Sequence, residues 1–206
     1  MNTVRRVAIT VIVTALGMLT SCVELDTQIT FRTAERGTIA LAYRIDSRVL
    51  EIGMFDRDAS IIPLPVGRSD FAQTAAAIDG LELRSYRMRE RDGITTVTAE
   101  LSFATAHALE AFFGPAAPAV VEAGSAETRF RHRLFDGFPD AIGEPGTRFA
   151  DSFFSDASVS VTVTTPSAVT NHGVGERAAS GRSVTARYTA ADLLARAEPI
   201  WVDVTW

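Results

Sequence analysis

Apolar and polar residues alternate along most of this chain, and turn residues break the alternation at short intervals. Residues 27–33 put Ile29 and Phe31 on one face, and residues 38–46 do the same with Ile39, Leu41, Tyr43 and Ile45. The loop Ala34-Glu35-Arg36-Gly37 between them makes the pair a hairpin. Residues 48–55 fit a strand or a helix equally well. Asp70-Phe71-Ala72-Gln73 has the spacing of a capping box, with Asp70 as the cap and Gln73 reaching back. Phe71, Ala75 and Ile78 then share a helical face, and Gly80 ends the segment.

The strongest local signal follows. Residues 81–91 and 94–103 flank Asp92-Gly93, a two-residue turn whose backbone matches the right-handed twist of paired strands. Pairing outward from that turn sets Met88 opposite Val97 and Tyr86 opposite Ala99, on a face shared with Leu101 and Phe103. Leu81 and Leu83 fall on the other face, so either both faces are covered or a bulge near Arg84-Ser85 shifts the phase.

A short helix over 105–113 carries Leu109, Phe112 and Phe113 and stops at Gly114-Pro115. Residues 115–124 read as a linker or crossover and the one plausible sub-boundary. In 128–134, Phe130, His132 and Leu134 alternate with Arg129, Arg131 and Arg133. Residues 137–146 read as loop and 147–154 as a third short helix. Residues 158–164 alternate with Val159, Val161 and Val163 inward, and a polar stretch to Gly181 leads into a strand over 184–188. Thr189 and Asp192 cap a last helix holding Leu193, Leu194 and Ala197, and residues 200–206 close the chain as a strand that needs a sheet partner. Hairpins interrupted by short helices predict an α+β fold, a mostly antiparallel sheet with short helices packed on one face.

The first residues do not fit that scheme. Arg5 and Arg6 precede twelve uncharged residues, 7–18, too few for a membrane span of about 20 apolar residues. Charge, short apolar run and small residues are the layout of a secretory signal peptide. Leu19-Thr20-Ser21-Cys22 then resembles the lipobox of bacterial lipoproteins. In that family the thiol takes a diacylglycerol, the chain is cut before the Cys, and the new amine is acylated. Cys22 is the only cysteine, so an internal disulfide is excluded and lipidation accounts for an exported thiol. More than one acyl chain is what stable anchoring requires. The expected organisation is therefore a signal peptide over 1–21 and a single α+β extracytoplasmic domain over 22–206.

Removing residues 1–21 takes away two of the 20 basic residues and none of the 25 acidic ones, so the formal charge moves from −5 to −7. Nucleic acid, which demands a basic footprint, is excluded as a partner. The chain has no Lys, which removes Schiff-base, Walker-type and Ser–Lys chemistry. The strand, Gly-containing turn and long second strand after Cys22, together with the pattern of residues 166–206, resemble the LppM-domain lipoproteins. That resemblance implies an envelope-attached domain that interacts with lipids, and it carries over no catalytic residue. The C-terminal transmembrane helix of many members has no counterpart in this sequence.

Chemistry-bearing residues are scattered. His107 has only Glu110 three residues on, short of a metal site. His132 lies on the apolar face of its strand and reads as a core histidine, and His172 sits in the turn Asn171-His172-Gly173. No nucleophile elbow, paired carboxylates or phosphate-cradling glycine loop stands out. Arg84, Arg87, Arg89 and Arg91, and Arg129, Arg131 and Arg133, form two groups that read either as solvated sheet faces or as an anion site. The expectation is a non-enzymatic envelope domain without cofactor or metal. Its partners would be the membrane, through Cys22, and a lipid, other hydrophobic ligand or envelope protein. A structural tether and a carboxylate-based envelope hydrolase are the alternatives. Tyr43, Tyr86, Phe103, Phe112 and Phe130 are the candidate walls of an apolar pocket, or else core.

Cys22→Ser is expected to abolish palmitate labelling and leave the precursor uncut. Label that persists in this variant contradicts the anchor assignment.

Overall fold

A computed structural model describes residues 23–47, 65–137 and 157–206. Cys22, the ambiguous segment 48–55 and the helix expected over 147–154 lie outside the described residues. Strands β1 (Glu24–Phe31) and β2 (Gly37–Asp46) form the expected hairpin, with Ile29 opposite Ile39. Gly37 is demanded by packing, because a Cβ there would collide with the Thr30 carbonyl oxygen. Helix α1 (Arg68–Ala77) buries Phe71 and Ala75. Its cap differs from the expectation: Gly67 is the N-cap, and Asp70, one turn in, accepts the Gly67 N–H at 2.9 Å. The carboxylate is thus the reaching-back member of the box, where it also meets the positive end of the helix dipole.

Strands β3 (Leu81–Arg91) and β4 (Ile94–Phe103) pair as read, Met88 to Val97 and Tyr86 to Ala99. The register shifts between Leu83 and Ser85, so the bulge returns Leu81 and Leu83 to the buried face. Asp92 and Gly93 have φ of 54° and 73°, the two positive values a type I′ turn requires. Helix α2 (Ala106–Phe113) is capped by Thr105, whose hydroxyl accepts the Ala108 N–H at 3.1 Å.

The segment read as a linker or crossover is in part a strand. β5 (Ala119–Ala123) pairs with β6 (Thr128–Phe135), and Glu110 of α2 accepts the Val121 N–H at 2.9 Å to hold it in place. β7 (Ser158–Thr164) then lies beside β1, the one parallel pair among the described strands. Within the polar stretch, β8 (Asn171–His172) and β9 (Glu176–Arg177) are short additions to two different sheets. β10 (Ser183–Thr189) pairs with β7. Helix α3 (Ala190–Leu194) carries the Thr189–Asp192 box and ends before Ala197, and β11 (Ile200–Thr205) finishes the chain.

The fold is α+β, with a large, mostly antiparallel sheet ordered β3-β4-β2-β1-β7-β10-β9. A second, four-stranded sheet, β5-β6-β11-β8, is an addition to the single sheet expected. The chain leaves the large sheet for β5 and β6, returns for β7, and alternates again through β8, β9, β10 and β11. One buried apolar cluster spans both sheets. At its centre Phe31 packs on Phe103 (5.6 Å between centroids), Phe130 (5.3 Å) and Trp206 (4.9 Å). The outer face of the large sheet is polar, with Thr162 bonded to Thr185 and Thr164 to Ser183 across strands. At the β3 edge, the bulge and the row of exposed Arg and Glu residues disfavour pairing with another chain.

Gly93→Val should lower stability by about 1 kcal/mol or more, since a β-branched residue is strained at positive φ. Thermal or urea unfolding measures it, and unchanged stability would contradict the turn.

Candidate functional site

The five aromatic candidates do not converge. Phe103 and Phe130, exposed by 2% and 0%, belong to the Phe31 cluster that joins the sheets, and their rings fill the interior. Alternating apolar positions signal burial but not whether space remains between them, which is why sequence grouped them with the rest. Tyr86 is half-buried on Phe71 (5.8 Å) and donates its hydroxyl to the Val66 carbonyl at 2.9 Å. Phe112, also half-buried, meets Phe113 edge-on at 5.3 Å.

Tyr43 differs from all of these. It is 1% exposed on the inner face of the large sheet, aligned with Leu25 of β1 and Val97 of β4. Among the described residues its hydroxyl has no hydrogen-bond partner, and burial pushes the phenol's pKa up. Native interiors seldom leave a hydroxyl unpaired, because the lost hydration costs about 1–3 kcal/mol.

The histidines stay apart. His107 is exposed, and its expected neighbour Glu110 is engaged with β5. His172 is half-buried on β8, beside Val204. His132 is a core residue, 3% exposed, between Phe113 (4.2 Å) and Phe130 (6.3 Å). Desolvation lowers its pKa to about 4, against smaller upward contributions from hydrogen bonds to the Pro118 and Ala117 carbonyls. Among the described residues no group of His, Cys, Asp and Glu could hold a metal ion, and no helix is long and apolar enough to cross a membrane.

The arginines of β6 are matched within the protein. Arg129 donates Nε to Asp203 at 2.9 Å and a second N–H to its other carboxylate oxygen. Arg131 lies 4.8 Å over the Trp201 ring, Arg133 5.9 Å from it, and Arg133 meets Asp136 at 2.7 Å. Each of these arginines thus has a partner within the protein, as the non-binding reading expects. Trp201 and Asp203 became visible as partners only once β6 and β11 were known to pair, Trp201 opposite Arg133 and Asp203 opposite Arg131. On β3, Arg84 reaches Ser102 and Glu82, each at 2.9 Å. A concavity of about 550 Å³ beside Glu122, Glu127, Arg129 and Asn171 is shallow and open.

Neither a family model nor a curated protein matches this chain. Among solved structures, the NMR structure of the folded domain of Mycobacterium tuberculosis LppM is similar, with a TM-score of 0.51 and 12% identity, covering 91% of each chain. At that identity the likeness establishes the fold, which is the fold the LppM-domain resemblance implied.

His132 makes stability pH-dependent. The unfolded imidazole titrates near 6.5 and the folded one near 4, so the folded state excludes a proton that the unfolded chain accepts. Stability is complete above pH 6.5 and falls by about 3 kcal/mol between there and pH 4. His132→Leu should flatten that portion of the pH–stability curve. An unaltered slope would contradict the burial of a neutral imidazole.

Proposed function

We propose that this chain is a lipid-anchored envelope lipoprotein whose folded domain is a non-catalytic binding module. Its ligand is a lipid or another hydrophobic molecule, held on the inner face of the large sheet beside Tyr43. The observation that carries this reading is the Tyr43 hydroxyl, buried among apolar neighbours with no partner among the described residues. A mostly apolar ligand with one polar atom satisfies that hydroxyl and keeps its surroundings dry. Phe103 and Phe130 then act as scaffold. Tyr86 and Phe112, both half-buried, remain the other candidates for contact.

The anchor supports the same reading. β1 begins at Glu24, two residues after Cys22, so a lipid on Cys22 holds the domain against the bilayer with almost no linker. Short reach favours a ligand drawn from, or returned to, the membrane. A fold-level likeness to an LppM domain accords with an envelope location.

Tyr43→Phe separates binding from folding, since it removes a single oxygen. Its thermal stability should equal the wild type or exceed it by about 1 kcal/mol, as an unpaired hydroxyl is lost. Native mass spectrometry of protein extracted from membranes should show a bound apolar species in the wild type and less of it in Tyr43→Phe. Phe130→Ala, as the contrasting core variant, should lose about 3–5 kcal/mol. No bound species in the wild type would overturn the ligand reading.

A further inference from the structure

At the end of the large sheet where β1 finishes, the β1–β2 turn, the start of β3 and the end of β4 enclose a groove of about 1110 Å³. Arg32, Arg36 and Arg84 line it together with Glu82, Glu100 and Ser102. Arg84 is engaged with Glu82 and Ser102. The side chains of Arg32 and Arg36 make no ion pair or hydrogen bond to any described residue. Their backbone is fixed all the same. Arg32 N–H donates to the Arg36 carbonyl at 2.8 Å, and the Thr33 hydroxyl accepts the N–H groups of Glu35 and Arg36 at 3.3 and 3.2 Å.

Two guanidinium groups carried by one ordered turn and lining one groove favour an anion there, and their planar forks match carboxylate and phosphate oxygens. Glu100 shapes the ligand further. It is exposed in the groove and makes no ion pair with a described residue, so it accepts hydroxyl protons and repels a bare multivalent anion. We propose that this groove is a binding site for a hydroxyl-bearing oxyanion, the chemistry of a sugar acid or sugar phosphate, with Arg32 and Arg36 on the anionic group and Glu100 on the hydroxyls.

Position narrows the source. β1 runs eight residues from Glu24 to Phe31, about 25 Å at strand rise, so the groove opens at the sheet end opposite the one where β1 begins. Resting on the anchor reading given above, this makes the ligand a soluble or polymer-borne anion rather than a headgroup of the anchoring bilayer.

Isothermal titration of the full-length protein in detergent at low salt, with glucuronate and glucose 6-phosphate, tests the site beside inorganic phosphate and glucose as comparators. Saturable binding of at least one sugar anion is expected, tighter than either comparator, and the stronger of the two identifies carboxylate or phosphate as the anchor. Arg32→Gln/Arg36→Gln should weaken it about tenfold or more with thermal unfolding unchanged. Glu100→Gln should narrow the gap to inorganic phosphate. Tyr43→Phe should leave this titration untouched, so failure of the apolar site and failure of the groove are separable. No saturable binding, binding indifferent to the double variant, or inorganic phosphate binding as tightly as both sugar anions would each overturn the proposal.

Discussion

The contact on which the two-sheet body depends is Phe31 packed at once against Phe103, Phe130 and Trp206. Phe31 and Phe103 belong to the large sheet, Phe130 to the small one, and Trp206 follows its last strand. Such ring pairs contribute about 0.5–1.5 kcal/mol each beyond the area they bury. Their larger effect is geometric, because they set the distance at which the small sheet sits on the large one. Trp206 is also tied through its backbone to Thr128, N–H to carbonyl in both directions at 3.0 and 2.9 Å. The chain end is thereby locked into the body, and a chain that switches sheets repeatedly cannot release one sheet without disturbing the other.

That junction sorts the remaining surfaces. At the Phe31 end the interior is filled by rings, and the concavity beside it is charged and open to water. Nearer the start of β1 lies Tyr43, with a hydroxyl that is unpaired among the described residues. On the outer faces several charges are matched: Arg44 and Arg187 both approach Glu24, at 3.2 and 3.6 Å, and Asp203 serves Arg129 and Arg131. Exposed pairs of this kind contribute little to stability. They keep sheet surfaces wetted, and Tyr43, Arg32 and Arg36 are among the groups without a partner in the described residues, where binding has something to gain.

Much of the fold was legible in the sequence because its determinants are local. Asp92-Gly93 specifies the turn, the turn specifies the register, and the phase break at Leu83 demands a bulge, all within 23 residues. The second sheet was hidden for the opposite reason. β11 inserts between β6 and β8, and nothing near residues 200–205 indicates which strands they join. β5 was obscured by the run of Pro and Ala before it, since its support comes from Glu110 on the preceding helix. Site chemistry was less accessible still. Tyr43 looks like any inward strand residue until its hydroxyl is found without a partner among the described residues, and the Arg32, Arg36 and Glu100 groove joins residues from two hairpins. The Asp70 cap was misplaced by three positions because a glycine N-cap has no side chain to announce it.

A crystal structure of the wild-type protein purified from membranes, without added or stripped lipid, tests the account at its centre. The account predicts continuous density on the inner face of the large sheet, with a polar atom within about 3 Å of the Tyr43 hydroxyl. A hydroxyl bonded to a protein group, or to a lone water in an otherwise filled core, would contradict it.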